Sequence, residues 1–341
     1  MVLIIIAFTI KSTLIEIYIV PTGSMEDTIL TGDMLIGNKF VYGMKTPPWV
    51  GLPYTRLGFD IPWMRFPKYK SIEVGDVTIF EFPRDPFQKY VKRCIGTAGD
   101  FISIEEGKIF VNQKELPFPD EAKYIHDDRQ KLGMPGNGIY SSFVGNKDNL
   151  EEFLVPHKGM NIEFSDSLDW NSIISLLIQD GNNVQIYDKS FTIIDPQEIG
   201  RTKGFLKYML MGLFMDKNKV RKLQNNDRIN FIKNLIAQNQ SNNIHNPWEF
   251  LDVMKQYPGD IYENLKINDK FVKDLGTYTL KHDYYFFIGD NRDNSYDSRF
   301  WGYVPDYQIL GTPLVSIINI FNINELFKLK LNKFLRFEYI S

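Results

Sequence analysis

Cysteine is almost absent from this sequence: the 341 residues include one, Cys94. A single cysteine excludes a disulfide within the chain and any metal site made of several thiolates. Histidine is scarce as well, and none of the four, His126, His157, His245 and His282, lies in a recognisable catalytic motif. Neither an HExxH motif nor a GxSxG turn is found, so the common zinc sites and His-based serine sites lack their sequence signatures.

Charge of either sign has no large excess: 39 Lys and Arg residues stand against 42 Asp and Glu residues, a formal net charge of −3. Such a chain offers no broad basic field, so no nucleic-acid partner is predicted. Hydrophobic residues make up 43% and aromatic residues 14%, which is enough to form a substantial core. The length predicts one large domain or two smaller ones.

Long apolar runs are also few, and the most informative one is VLIIIAFTI at residues 2–10. A helix needs about 20 apolar residues to span a membrane. The run reaches that length at Val20 only by including Lys11 and Glu16. It lacks the basic start and the small-x-small site of a cleaved secretion signal. The run is either the outer end of a membrane anchor or an apolar element of a soluble protein. The pattern favours the anchor, a helix within residues 1–19.

Short strands are predicted on both sides of a long central segment. The strand patterns, the last a hairpin that turns near Glu106, lie at residues 34–42, 75–83, 90–96 and 101–116. The central segment contains a short helical pattern, WNSIISLLIQ, and helical periodicity over residues 203–256. The strand pattern then returns in GTYTLKHDYYFFIGD.

These patterns predict a division of the chain. The predicted parts are the anchor at residues 1–19, a β domain in two segments at 20–116 and 277–312, an inserted α+β subdomain at 117–276, and a basic tail at 313–341. In the tail, NELFKLKLNKFLRFEYIS fits an amphipathic helix on anionic lipid and an edge strand equally well.

A serine and a lysine are the candidate reactive pair. Ser24 ends a turn of small residues, VPTGSM, but its hydroxyl is a poor nucleophile without a base. Lys92 lies in YVKRCIG among apolar neighbours, and burial can lower a lysine pKa by several units. On a strand, Lys92 and Arg93 point to opposite sides. Considered alone, however, the two residues also fit an ordinary surface strand.

A third stretch is rich in charge. GDNRDNSYDSRFWGYVP, residues 289–305, contains charged residues and serines directly before Phe300 and Trp301. This density predicts internally paired polar groups beside a core, with Asp297 bound to Arg299 or Arg93. A calcium loop is disfavoured because the spacing, the central glycine and the final glutamate are missing.

Four motifs in this order resemble those of bacterial type I signal peptidases, also called leader peptidases, which are membrane-anchored serine proteases with a Ser–Lys dyad. The motifs are VPTGSM, GDVTIF, YVKRCIGTAGD and GDNRDNSYDSRFWGYVP, and the similarity covers residues 11–42, 72–112 and 277–311. The resemblance implies a mostly β fold of coiled antiparallel sheets, with an α+β insertion and an N-terminal membrane-anchor helix. One departure is the pair Glu26–Asp27, which replaces the usual proline after the Ser–Met pair.

The resemblance also implies roles for individual residues. Ser24 would be the nucleophile and Lys92 the general base, with Ser295 orienting the lysine. Thr22 and the Ser24 N–H would form the oxyanion hole. The others are a supporting network and a substrate-pocket candidate, namely Arg93, Asp290, Asp297 and Arg299 for the network and Met25 for the pocket. No metal or organic cofactor is implied.

The implied function is removal of signal peptides from exported preproteins after small residues at the −1 and −3 positions. The implied location is the cytoplasmic membrane of a bacterium, with the catalytic domain on its outer face and phospholipid as a partner. A monomer is expected. A catalytically inactive, membrane-tethered homologue that acts as a scaffold is the alternative, and the intact Ser24, Lys92 and Ser295 favour the enzyme.

Overall fold

The described part of the chain consists of several segments. The computed structural model describes residues 15–46, 49–51, 58–134, 136, 138–186, 260–319 and 335–340. They divide into two compact units, one drawn from Met1–Lys158 with His282–Ser341 and one from Gly159–Lys281. The predicted insertion at residues 117–276 overlaps the second unit, whereas its first part, residues 117–158, groups with the first.

The first unit is built from antiparallel strands. Its strands before the second unit are β1 (Ile15–Ile19), β2 (Asp33–Asn38), β3 (Trp49–Gly51), β4 (Gly58–Asp60), β5 (Val77–Phe82), β6 (Asp85–Gly96), β7 (Phe101–Glu105), β8 (Lys108–Val111), β9 (Lys114–Glu115), β10 (Gly145–Asn146) and β11 (Asn149–Leu154).

In the sequence, the second unit follows β11 and precedes the remaining elements of the first unit. Its described elements are β12 (Asn161–Glu163), α1 (Trp170–Gln179), β13 (Val184–Ile186), α2 (Ile261–Asn264), β14 (Leu265–Ile267), β15 (Lys270–Phe271), α3 (Val272–Leu275) and β16 (Thr277–Thr279). Helix α1 confirms the helical pattern in WNSIISLLIQ, and it buries Trp170, Ile174 and Leu177 at the i, i+4, i+7 spacing of one helix face.

The first unit then resumes. Its remaining elements are β17 (Tyr284–Ile288), α4 (Ser298–Trp301), β18 (Val304–Pro305), a 3-10 turn (Asp306–Gln308), β19 (Ile309–Asn319) and β20 (Leu335–Tyr339). The predicted mostly β fold is confirmed for the part of the chain that the structure describes.

One large sheet positions the candidate site. Its strand order is β1-β2-β19-β5-β6-β17-β18, with β20 paired to β19. Every residue of β5 and β17 is buried, including the polar Thr78 and Glu81 of β5. Phe80 of β5 stacks on Phe287 of β17 with ring centroids 4.6 Å apart, and Trp301 packs 5.8 Å from Phe80. The centre of this sheet is therefore an aromatic core.

A smaller sheet has the order β10-β11-β7-β8-β9. Its β7–β8 hairpin confirms the predicted turn: Glu105 pairs with Lys108, and Glu106 and Gly107 have φ of 47° and 83°. Two consecutive positive φ values are the requirement of a type I′ hairpin turn.

The predicted anchor helix is corrected where the structure describes it. Residues 1–14 lie outside the described residues, and Ile15–Ile19 is strand β1, paired with β2. The sequence IEIYI alternates with a period of two: Tyr18 faces the core, while Ile17 and Ile19 are exposed. β-branched isoleucines at that spacing favour a strand. No helix among the described residues is long and apolar enough to cross a membrane.

The tail is a strand where it is described. Leu335–Tyr339 pairs with β19, so the edge-strand alternative holds for these residues. The helical periodicity predicted for residues 203–256 lies outside the described part of the chain.

Candidate active site

Ser24 lies in the connection between β1 and β2. The ends of this connection are joined by backbone hydrogen bonds from Val20 to Asp33 and from Gly32 to Val20, of 2.9 and 2.8 Å. A tight turn follows Ser24, because the Ile29 N–H donates to the Met25 carbonyl at 2.6 Å. Ser24 is therefore held at the edge of the large sheet and is 8% exposed.

Lys92 reaches Ser24 from the centre of the same sheet. In the sheet, Lys92 of β6 pairs with Thr78 of β5. Lys92 Nζ lies 2.5 Å from Ser24 Oγ and 3.1 Å from the Val91 carbonyl oxygen. The side chain is 4% exposed, and within the described segments no carboxylate lies within 4.0 Å of Nζ. Burial lowers the pKa of Lys92 to about 8, although Asp297 and Asp290 oppose the shift. An appreciable fraction of this lysine is thus neutral near neutral pH.

Arg93, the next residue, supports the site from the other side of β6. Its Nε and Nη2 donate to the two carboxylate oxygens of Asp290 at 2.9 and 2.8 Å. Thr28 Oγ1 donates to the same carboxylate at 2.5 Å. This buried two-bond pair connects β6, the loop after β17 and the Ser24 turn.

A second buried pair joins Asp297 and Arg299. Arg299 donates to both Asp297 oxygens at 2.8 and 2.9 Å, and the Gly289 N–H adds a bond of 3.2 Å. Burial alone would raise the pKa of Asp297, but Arg299 lowers it below its usual value. Of the two partners considered for Asp297, the structure has Arg299, while Arg93 binds Asp290.

Three other predicted residues have different surroundings. Ser295 Oγ is buried, and neither Lys92 nor any other described residue lies at a hydrogen-bond distance and angle from it. Its closeness to Asp297 nevertheless helps to lower the pKa of that carboxyl group. Thr22 is exposed two residues before Ser24. Met25 is 1% exposed and packs in the core, where its Sδ accepts a bond from the Asp290 N–H. Its side chain is therefore not open to a substrate in this structure.

Gly289 and Asn291 belong to the site but had no predicted role. A Cβ on Gly289 would lie 2.2 Å from Ser295 Oγ and 2.5 Å from the Ser24 carbonyl oxygen, so no larger residue fits there. The Asn291 N–H donates to the Ser24 carbonyl at 3.1 Å, and its side-chain amide donates to the Gly23 carbonyl at 3.0 Å. The sequence GDN at the start of the fourth motif was the signal from which their role could have been predicted.

The acidic pair after Met25 also has a structural explanation. Lys123 Nζ lies 3.2 Å from Glu26 and 3.0 Å from Asp27, and these hydrogen bonds, the one to Asp27 first, raise the pKa of Lys123. Asp27 has φ of 80°, a conformation that aspartate tolerates better than most residues. Lys123 is itself joined to the fourth motif by backbone bonds to Asp290 and Arg292.

The chemistry of this site follows from its groups. A serine hydroxyl in hydrogen-bond contact with a buried lysine of lowered pKa can act as a nucleophile, with the lysine as its base. Among the described residues, no group of three or more His, Cys, Asp or Glu side chains could hold a metal ion. Fold and site together have the character of a serine hydrolase with a lysine base.

Comparison with known proteins identifies the family. The family model described as signal peptidase, peptidase S26, matches residues 1–163 and 218–318, and the chain belongs to this family of serine endopeptidases. Signal peptidase I of Buchnera aphidicola subsp. Baizongia pistaciae is 26% identical over 309 residues, which cover 91% of this chain and 71% of that protein. Signal peptidase I of Rickettsia typhi is 32% identical over 145 residues, or 40% of this chain and 52% of that protein.

Proposed function

We propose that this chain cleaves signal peptides from preproteins, with Ser24 as nucleophile and Lys92 as general base. The observation that carries the assignment of roles is the 2.5 Å separation of Ser24 Oγ and Lys92 Nζ in a member of the signal peptidase family. The inactive-homologue alternative has no observation in its favour.

In the proposed reaction, neutral Lys92 takes the proton of the Ser24 hydroxyl while Oγ attacks the scissile carbonyl carbon. The tetrahedral oxyanion is stabilised by the Ser24 N–H and, after local movement, by the Thr22 hydroxyl. Protonated Lys92 then gives its proton to the leaving amine. Water, deprotonated by the same lysine, hydrolyses the acyl-serine ester and regenerates the site.

The substrate is proposed to bind as an extended strand along β1. Within the described part of the chain, β1 pairs with β2 on one side, and it ends five residues before Ser24. An edge strand can add a peptide through main-chain hydrogen bonds, while shallow pockets select side chains. Small residues at the −1 and −3 positions of the preprotein would be chosen because larger side chains are excluded sterically.

The proposed location is the outer face of a bacterial cytoplasmic membrane, where the protein acts as a monomer on membrane-presented preproteins. Trp63 and Phe66 are 42% and 44% exposed and are available to phospholipid. Trp301 is buried in the aromatic core and is not available to phospholipid.

The test is cleavage of a preprotein whose signal ends in Ala-x-Ala. Ser24→Ala and Lys92→Ala should each abolish product formation, and Lys92→Arg should be equally inactive because a guanidinium stays protonated. Ser71→Ala, at an exposed serine, and Lys89→Ala, on the same strand as Lys92, are matched controls that should stay active. Retained cleavage by Ser24→Ala or Lys92→Ala would refute the proposed roles.

A further inference from the structure

Arg292 is a buried cation with no ion-pair partner among the described residues. Its side chain is 2% exposed, its Nε has no hydrogen-bond partner, and no described residue accepts a bond from the guanidinium. No carboxylate of the described segments lies within 4.0 Å of it. An arginine keeps its charge at any ordinary pH, and an unpaired buried charge is strongly unfavourable. Asp290 and Asp297 favour the charged form of Arg292 from beyond 4.0 Å, but neither is in direct contact with it.

The nearby carboxylates offset the Arg292 charge only in part, because each is bound by another arginine. Asp290 has both oxygens bound by Arg93, and Asp297 has both bound by Arg299. Arg299 adds a like charge near Arg292 rather than relieving it. The two acidic residues of the fourth motif that face this region are thus already committed.

The guanidinium lies against a column of stacked rings. Arg292 Cζ is 5.3 Å from the centre of the Phe118 ring, Phe118 stacks on Tyr124 at 5.6 Å, and Arg129 Cζ lies 3.4 Å above the Tyr124 ring. The Tyr124 hydroxyl is fixed by a 2.6 Å bond to the Gly107 carbonyl. Two arginines are therefore held in place by packing, which reduces the entropy that a ligand would cost on binding.

Both arginines face a cavity of about 120 Å³. Its charged lining consists of three cations and two carboxylates, namely Lys108, Arg129, Arg292, Glu106 and Glu115. The two glutamates are exposed, and Glu115 lies 3.7 Å from Lys108. Of these five charged groups Arg292 is the most deeply buried, at 2% exposed, and Arg129 is half-buried. The other walls of the cavity include the side chains of Ile109, Leu116 and Phe118, which are apolar.

We propose that this cavity binds a small organic carboxylate, with its carboxylate on Arg292 and Arg129 and its apolar body against Phe118. The planar guanidinium matches a carboxylate with two parallel hydrogen bonds. The volume equals that of about four water molecules in the liquid, enough for a short aliphatic acid or one terminal residue of a peptide. The apolar walls favour such a ligand over inorganic phosphate. The proposal is independent of the Ser24–Lys92 chemistry.

Butyrate is a suitable probe, measured by thermal unfolding of the full chain carrying Ser24→Ala. Butyrate should raise Tm in a saturable way, because a ligand that binds the folded state stabilises it. Butyramide, which lacks the charge, and NaCl at equal ionic strength should not. A dipeptide with a free C-terminus, compared with its amide, tests whether the carboxylate can come from a peptide. Both sources failing, or an equal effect of butyramide or NaCl, would overturn the proposal.

Two variants locate the effect. Arg292→Met should abolish the butyrate-dependent rise in Tm, and Arg129→Gln should weaken binding by about tenfold, the usual loss of one charged hydrogen bond. Lys131→Gln, at an exposed cation close in sequence that does not line the cavity, is the matched control and should bind as tightly as the parent. If Arg292→Met does not fold, Arg129→Gln decides, and unchanged binding there would contradict the assignment.

Discussion

Lys123 Nζ lies 3.0 Å from a carboxylate oxygen of Asp27, although 96 positions separate the two residues in the chain. Glu26 contacts the same ammonium group at 3.2 Å. The turn that follows Ser24 is thereby tied to a segment that is bonded to Asp290 and Arg292. This geometry predicts a positioning role for Glu26 and Asp27, which the sequence alone does not explain.

Loss of this contact should slow the reaction without unfolding the protein. Lys123→Gln should lower kcat by about two- to fivefold with little change in KM, because a looser turn misplaces the Ser24 nucleophile more than it alters substrate contacts. Since the three side chains are substantially exposed, the stability change should be small. Steady-state kinetics give the split, and Lys131→Gln is the control. A kcat equal to that of the parent would remove Lys123 from the positioning residues.

The Arg93–Asp290 pair should behave very differently from an exposed ion pair. Asp290→Asn should destabilise the protein by about 3–5 kcal/mol, because it leaves a buried guanidinium without its carboxylate. Urea unfolding measures this loss. The comparison variant is Glu263→Gln, which breaks an exposed contact with Lys273 and should change the midpoint little. Similar midpoints for the two variants would show that the buried pair does not stabilise the fold.

Burial of Lys92, which lowers its pKa, should also lower the free energy of unfolding when the lysine is protonated. Between about pH 8 and its usual value of 10.5, the unfolded chain binds a proton that the folded protein does not, so stability rises with pH across that window. Below pH 8 the cost of the buried charge is present in full. Lys92→Met should therefore stabilise the protein at pH 6 by up to about 3 kcal/mol, and the gain should vanish above pH 10.5. Thermal unfolding at the two pH extremes tests the sign, and a destabilised variant at pH 6 would contradict it.

Much of the fold could be predicted because its signals are local. Strands β5 and β6, the β7–β8 turn and helix α1 follow from periodicity and turn residues within a few positions. The length of the apolar run predicts a helix within residues 1–19, whereas the alternation of Ile17 and Tyr18 indicates strand β1. The conformation of a segment of only five residues depends on the neighbouring strand with which it pairs, which here is β2.

The sequence predicts only those residues of the candidate site that belong to a recognisable motif. The motifs predict a contact of Ser24 with Lys92 and a contact of Asp297 with Arg299. The structure has a hydrogen bond within each of these two pairs. Lys123 and Arg292 have no local signature, because their surroundings are created by residues far away in the chain. Ser295 illustrates a further limit: resemblance suggested a bond to Lys92, whereas the hydroxyl makes no such bond in this geometry.

The pH dependence of kcat/KM for the Ala-x-Ala preprotein tests the Ser24–Lys92 account most directly. A lysine that must be neutral to accept the Ser24 proton predicts that log kcat/KM rises with a slope of one and levels off near pH 8, the pKa to which burial lowers Lys92. A rate that is independent of pH between about 6 and 9 would contradict a lysine base at this site.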